Sequence, residues 1–124
     1  MKQYRIERKA ECGVVAKVVA EHGDYPLPHI VYHSPTGFET GYGGSGPSDL
    51  ALAILADHFG ESERTVRQGL AGRASRAVHL YQLFKFDFIV SRQLTVGASY
   101  TITSEEIEAW LAVRDQQMHK EVIP

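Results

Sequence analysis

Residues 50–56 read Leu-Ala-Leu-Ala-Ile-Leu-Ala, an apolar run with no polar side to turn toward water. It is far shorter than the ~20 residues that cross a bilayer, so the rest of the chain has to cover it. A helix that is apolar all round belongs at the centre of a fold, with neighbours on more than one face. Its ends are marked in the sequence. Pro47 fits the first helical position, where a missing N–H costs nothing. Asp49 can satisfy free amides at the helix start, and Gly60 supplies a left-handed stop.

On the N-terminal side the signals are those of strands and turns. Tyr4, Ile6 and Arg8 alternate with polar neighbours, and Gly13–Ala20 is β-branched. Residues 21–28 break the pattern. His29–His33 then reads as a strand, Ser34-Pro35-Thr36-Gly37 as a turn, and Phe38–Tyr42 as the partner strand. Beyond Gly60, residues 61–73 show no clear preference, since Gly69 and Gly72 weaken any helix there. Ala77, Leu80, Tyr81, Phe84 and Phe88 recur at spacings of three and four, which predicts a helix. Phe84, Phe86 and Phe88 also alternate as in a strand, but no breaker lies between Arg73 and Arg92, and helix is favoured. Thr95–Ile102 reads as a short strand or an extended arm. Thr103-Ser104-Glu105-Glu106 is a capping box opening a last helix that buries Ile107, Trp110, Leu111, the Arg114 stem and Met118 and frays at 122–124. The acidic first turn and the His119-Lys120 ending of that helix suit its dipole.

The expectation is one α+β domain over residues 1–124, mainly β over 1–42 and mainly α over 47–119, with a short strand near 95–102. A small antiparallel meander of three or four strands packs on the central helix, and two further helices complete the core.

Lys plus Arg number 13 against 15 Asp plus Glu, a net charge of −2, which excludes a generally basic nucleic-acid coat and a strongly acidic DNA mimic. Cys12 stands alone, so neither an intrachain disulfide nor a thiolate zinc cluster can form. The first nine residues lack the apolar core of a signal peptide. A soluble cytoplasmic protein with no membrane association is expected, and no cofactor. His29 and His33 would share a strand face about 13 Å apart, too far to hold one metal ion.

The most unusual stretch is Gly41-Tyr42-Gly43-Gly44-Ser45-Gly46-Pro47, just before the central helix. Gly41, Gly43 and Gly46 match G-x-G-x-x-G, and such a loop can bring amides close to an anion at a positive helix end. A dinucleotide fold also needs a parallel βαβ unit, which the sequence does not offer. A P-loop needs a Lys-Ser or Lys-Thr pair after the glycines, and none follows. Ser45 is not in a nucleophile elbow, because Pro47 stands where the second glycine of G-x-S-x-G belongs. The alternative is architectural: a tight turn whose glycines let the helix lie close on the sheet. Residues 61–93 carry six cations against three acids, a local +3, and Arg73 and Arg76 form a basic stripe one helical turn apart.

The run from His33 through Gly41-Tyr42-Gly43-Gly44-Ser45-Gly46-Pro47-Ser48-Asp49-Leu50-Ala51 to Leu55 resembles the signature of a small domain-of-unknown-function family of bacteria, phages and mobile elements. Tyr81-Gln82-Leu83-Phe84-Lys85 and Ile107-Glu108-Ala109-Trp110-Leu111 resemble its later features, so the likeness spans roughly residues 33–111. Thr40 departs from a tryptophan at that place. The family has no agreed catalytic residues to carry over; the resemblance implies a small accessory protein, an inhibitor, decoy or scavenger.

The leading expectation is therefore a non-enzymatic intracellular binding protein that engages a macromolecular partner, in a phage or anti-defence setting. Tyr42, Gly43, Gly44, Ser45, Gly46, Arg73 and Arg76 form the expected surface. The alternative is a binder of a small, nucleotide-like anion at the amides of Gly43–Gly46, with nucleic acid a weaker third partner class.

Overall fold

Alternation of Tyr4 and Ile6 with polar neighbours produces strand β1 (Gln3–Lys9), which turns at Gly13 into β2 (Gly13–Val19). The computed structural model describes residues 1–122, with side chains described through Arg114. β1 and β2 pair antiparallel in the register Gln3↔Val19 to Lys9↔Gly13. This places Tyr4, Ile6, Val14 and Val18 on the inner, buried face, and Arg5 and Lys17 outside. β3 (Tyr25–Pro26) adds two residues to the β2 edge.

The hairpin expected over 29–42 does not form. His29–His33 lies outside any strand, and Phe38 contributes only an isolated bridge to Val14. The fourth strand comes instead from the far end of the sequence. β4 (Ser99–Thr103) pairs antiparallel with β1, from Gln3↔Thr103 to Glu7↔Ser99, giving the order β3-β2-β1-β4. The α+β class is as expected, but only three of its strands form a meander.

The apolar run lies in α1 (Ser45–Phe59), where Leu50–Ala56 are all buried. Its start is two residues earlier than Pro47 predicts, with Gly44 as the extended N-cap residue, so Pro47 is third in the helix. That is still within the first turn, where the missing N–H has no intrahelical partner to lose. Gly60 ends α1 at φ +68°, as expected. The undecided stretch holds a short helix, α2 (Glu63–Leu70), capped by Ser62, whose hydroxyl accepts the Thr65 amide at 3.1 Å. Gly69 is needed there because a Cβ would collide with Ser75 and press on Val78. The structure thus has one helix more than expected.

α3 (Arg76–Phe84) packs along α1 and continues into a wider π turn over Lys85–Ile89, where the Val90 amide donates to the Lys85 carbonyl at 3.0 Å. The helical period therefore prevails over the Phe84/Phe86/Phe88 alternation. Phe84 is fully buried, stacked on Phe88 at 4.5 Å and meeting Trp110 edge-on, while Phe86 is 62% exposed. α4 (Ser104–Val122) opens with the expected capping box: Thr103 Oγ1 accepts the Glu106 amide at 3.1 Å, and Glu106 Oε1 accepts from the Thr103 amide at 3.3 Å. Ile107 and Leu111 join the core. α4 runs on to Val122; the side chains of Met118, His119 and Lys120, with their expected burial and charge, and residues 123–124 of the expected fraying lie outside what is described. No described helix is long and apolar enough to cross a membrane.

Candidate functional site

The end of the molecule at the start of α1 is built around two buried charges of opposite sign. Asp49, in the second turn, is fully buried. It does not cap its own helix, contrary to expectation. Its carboxylate accepts from the amides of His33 at 2.9 Å, Ser34 at 3.0 Å and Tyr32 at 3.3 Å, and meets His29 Nε2 at 2.8 Å. Amides that a β-ladder would have used point instead at one side chain, which is why the β-branched segment 29–33 curls into a loop. Burial pushes the Asp49 carboxyl up, but the hydrogen bond from His29 and the three amides outweigh it and hold the group below the usual carboxylate range.

Lys85, at the start of the π turn, is the opposite charge. Its residue is only 5% exposed, yet its ammonium donates to two neutral acceptors, the Gly43 carbonyl and Ser48 Oγ, each at 3.2 Å. No carboxylate among the described residues pairs with it. Burial pushes its pKa down. Its Nζ also lies 4.7 Å from the centre of the exposed Phe86 ring.

The glycine loop passes directly over this lysine. Gly41, at φ +89°, donates its amide to the Ile89 carbonyl at 3.1 Å, and a Cβ there would press on the Gln93 backbone. Thr40, where the resemblance implies a tryptophan, is buried; its hydroxyl lies 2.9 Å from the Ile89 carbonyl and 2.7 Å from that of Arg92, closing the end of the π turn. Tyr42 is half exposed, and its ring lies on Gly44 so closely that a Cβ there would overlap it. The amides of Gly43, Gly44 and Ser45 meet no acceptor among the described residues, and Gly43 and Ser45 are exposed. The first turn of α1 carries no acidic side chain. At α3, by contrast, the Glu61 carboxylate already occupies the helix start, accepting from the amides of Arg76 at 2.9 Å and Ala77 at 3.2 Å.

The glycines divide by role. Gly46 is buried, and a Cβ would sit 2.6 Å from Glu39 Cβ and 3.0 Å from the Glu39 amide nitrogen; around Gly43 the space is open. Gly46→Ala should therefore lower stability by about 1–3 kcal/mol, and Gly43→Ala by less than about 1 kcal/mol, in paired urea melts. Equal losses would show that the loop is architecture throughout.

The structure does not bring Arg73 and Arg76 to this loop. Arg76 stacks on Phe59 at 4.2 Å, at the far end of α1, a helix of 15 residues and about 21 Å. Arg73 lies in the α2–α3 turn beside it. The expected composite surface is thus two surfaces at opposite ends of the central helix.

Sequence reasoning missed Lys85, although its spacing was informative: it falls four residues after Tyr81 and four before Ile89, both buried. A lysine on the apolar stripe of a helix is the signal that could have found it. It also missed the contact of His33 Nε2 with the Tyr81 hydroxyl at 2.9 Å, and Asp57, which accepts from Tyr4 at 2.7 Å, Tyr25 at 2.6 Å and Lys2 at 3.0 Å and ties the sheet to α1. Among the described residues no group of three His, Cys, Asp or Glu side chains could hold a metal ion.

Compared with known proteins, residues 4–113 match the model of a family of unknown function, DUF6166. No curated protein and no solved structure matches the chain.

Proposed function

Given that the chain belongs to this family of unknown function, we propose its role from the site: a binding protein that takes an anionic group, a phosphate of a nucleotide-like ligand, at the glycine loop. The observation that carries this reading is Lys85, a cation withdrawn from solvent beneath amides that, like it, meet no carboxylate among the described residues. A buried ammonium held only by neutral acceptors is unfavourable by itself, and an incoming anion relieves that cost. The amides of Gly43, Gly44 and Ser45 supply donors at the positive end of α1. Tyr42 offers a ring for a base to stack on. The setting we propose with it is that of a non-enzymatic cytoplasmic accessory protein of a phage or other mobile element, on the strength of the sequence resemblance.

Thermal melts in inorganic phosphate, ADP and adenosine test it. At a hundredfold excess over Kd a ligand stabilises by about 2.7 kcal/mol, roughly 10 °C for a chain of this size. Phosphate and ADP should raise the Tm while adenosine alone does little. Lys85→Met keeps the stem and removes the charge, so it should keep its ligand-free stability within roughly 1 kcal/mol and lose the response. A response unchanged in Lys85→Met, or none to phosphate or ADP in the natural protein, sinks the proposal.

A further inference from the structure

At the opposite end of α1, the α2–α3 turn, the first turns of α3 and one side of α4 enclose an open groove of about 580 Å³. Its walls carry Arg73, Arg76, His79 and Arg114, and its floor includes Val78 and Leu111. Among the described residues none that lines it is acidic; the Glu61 carboxylate stands beside it, on the amides of Arg76 and Ala77. Arg114 is tied to Asp87 and Arg76 rests on Phe59, so both guanidinium groups are held in place. The Arg73 guanidinium, in an exposed residue, meets no acceptor among the described residues.

We infer that this groove is a docking site for an acidic peptide segment of a protein partner, with carboxylates meeting Arg73 and Arg76 and one or two apolar side chains seated against Val78 and Leu111. Charge complementarity selects the partner: the guanidinium groups of Arg73 and Arg76, which meet no carboxylate among the described residues, beside an apolar floor suit carboxylates interleaved with apolar side chains, while Arg114 is already paired with Asp87. Arginine suits such a rim because its planar fork pairs bidentately with carboxylate. Single-stranded nucleic acid would want aromatic platforms for its bases, and among the described residues no Phe, Tyr or Trp lines the groove. The site is independent of the glycine loop, since nothing in it contacts Lys85, and Lys85→Met should leave it unchanged.

Fluorescence anisotropy on the full chain tests the inference with three labelled probes: a twelve-residue (Glu-Glu-Leu)4 peptide, its (Glu-Glu-Ser)4 counterpart, and an oligodeoxythymidine of equal charge. The Leu peptide should bind at least tenfold more tightly than the other two. Arg73→Glu/Arg76→Glu should weaken it by tenfold or more. Arg73→Glu alone, an exposed change in a turn, should weaken it severalfold with an unchanged melting curve. Equal or tighter binding of the oligonucleotide overturns the proposal in favour of nucleic acid. Self-association of the natural protein that the double variant abolishes overturns it in favour of a second copy of the chain. Absence of peptide binding at millimolar concentration, or binding indifferent to both variants, overturns it outright.

Discussion

Asp49→Ala should destabilise the protein by about 3–5 kcal/mol, because one fully buried carboxylate holds three backbone amides and an imidazole. Removing it leaves those donors facing a cavity, and each buried donor without a partner costs about 1–3 kcal/mol. The pH dependence follows from the direction of the Asp49 shift. Its folded pKa lies below the unfolded value of about 3.9. The stabilisation is therefore fully present above the unfolded pKa and is lost as pH falls through the lower, folded one. Urea melts of both proteins between pH 2 and pH 7 should show the largest gap at neutral pH and a narrowing gap in acid. A gap constant with pH would mean that the carboxylate's charge has no part in holding the 29–34 loop.

Phe84→Ala should cost about 3–5 kcal/mol, a fall in Tm of roughly 12–20 °C, while Phe86→Ala should cost under about 1 kcal/mol. The two phenylalanines are separated in the sequence by Lys85 alone, yet one is fully buried against Phe88 and Trp110 and the other stands in solvent. A strand over 84–88 would put both rings on the same face, so similar losses for the two variants would refute the helical reading. Calorimetric melts of the pair decide it.

What could be read from the sequence was local. The all-apolar run, the Gly60 stop and the Thr103/Glu106 box each depend on residues within a few positions of one another, and each is where the sequence predicts it. Where the reading failed, a distant partner had intervened. His29–His33 has the composition of a strand, but Asp49, 16 residues beyond His33, captures its amides. The fourth strand lies beside β1 through pairings about 100 residues apart, which no window of sequence reveals. Lys85 has the chemistry of a surface residue; its burial comes from the glycine loop folding over the π turn. The positive charge near Arg73 and Arg76 was legible, but not its position at the far end of α1 from the loop.

The pairing of β1 with β4 has a consequence for synthesis. β1 and β2 can close as a hairpin as soon as both have left the ribosome, but the other side of β1 must wait for Thr103. Until then a nascent chain carries a row of open ladder groups along β1, and so presents a template for mispairing. The final latch is also late: Lys2 and Ser104 exchange hydrogen bonds of 2.6–2.9 Å that form only when translation has passed α1, α2 and α3. Chains interrupted anywhere before that serine would be substrates for chaperones and proteases, whatever the state of their central helix.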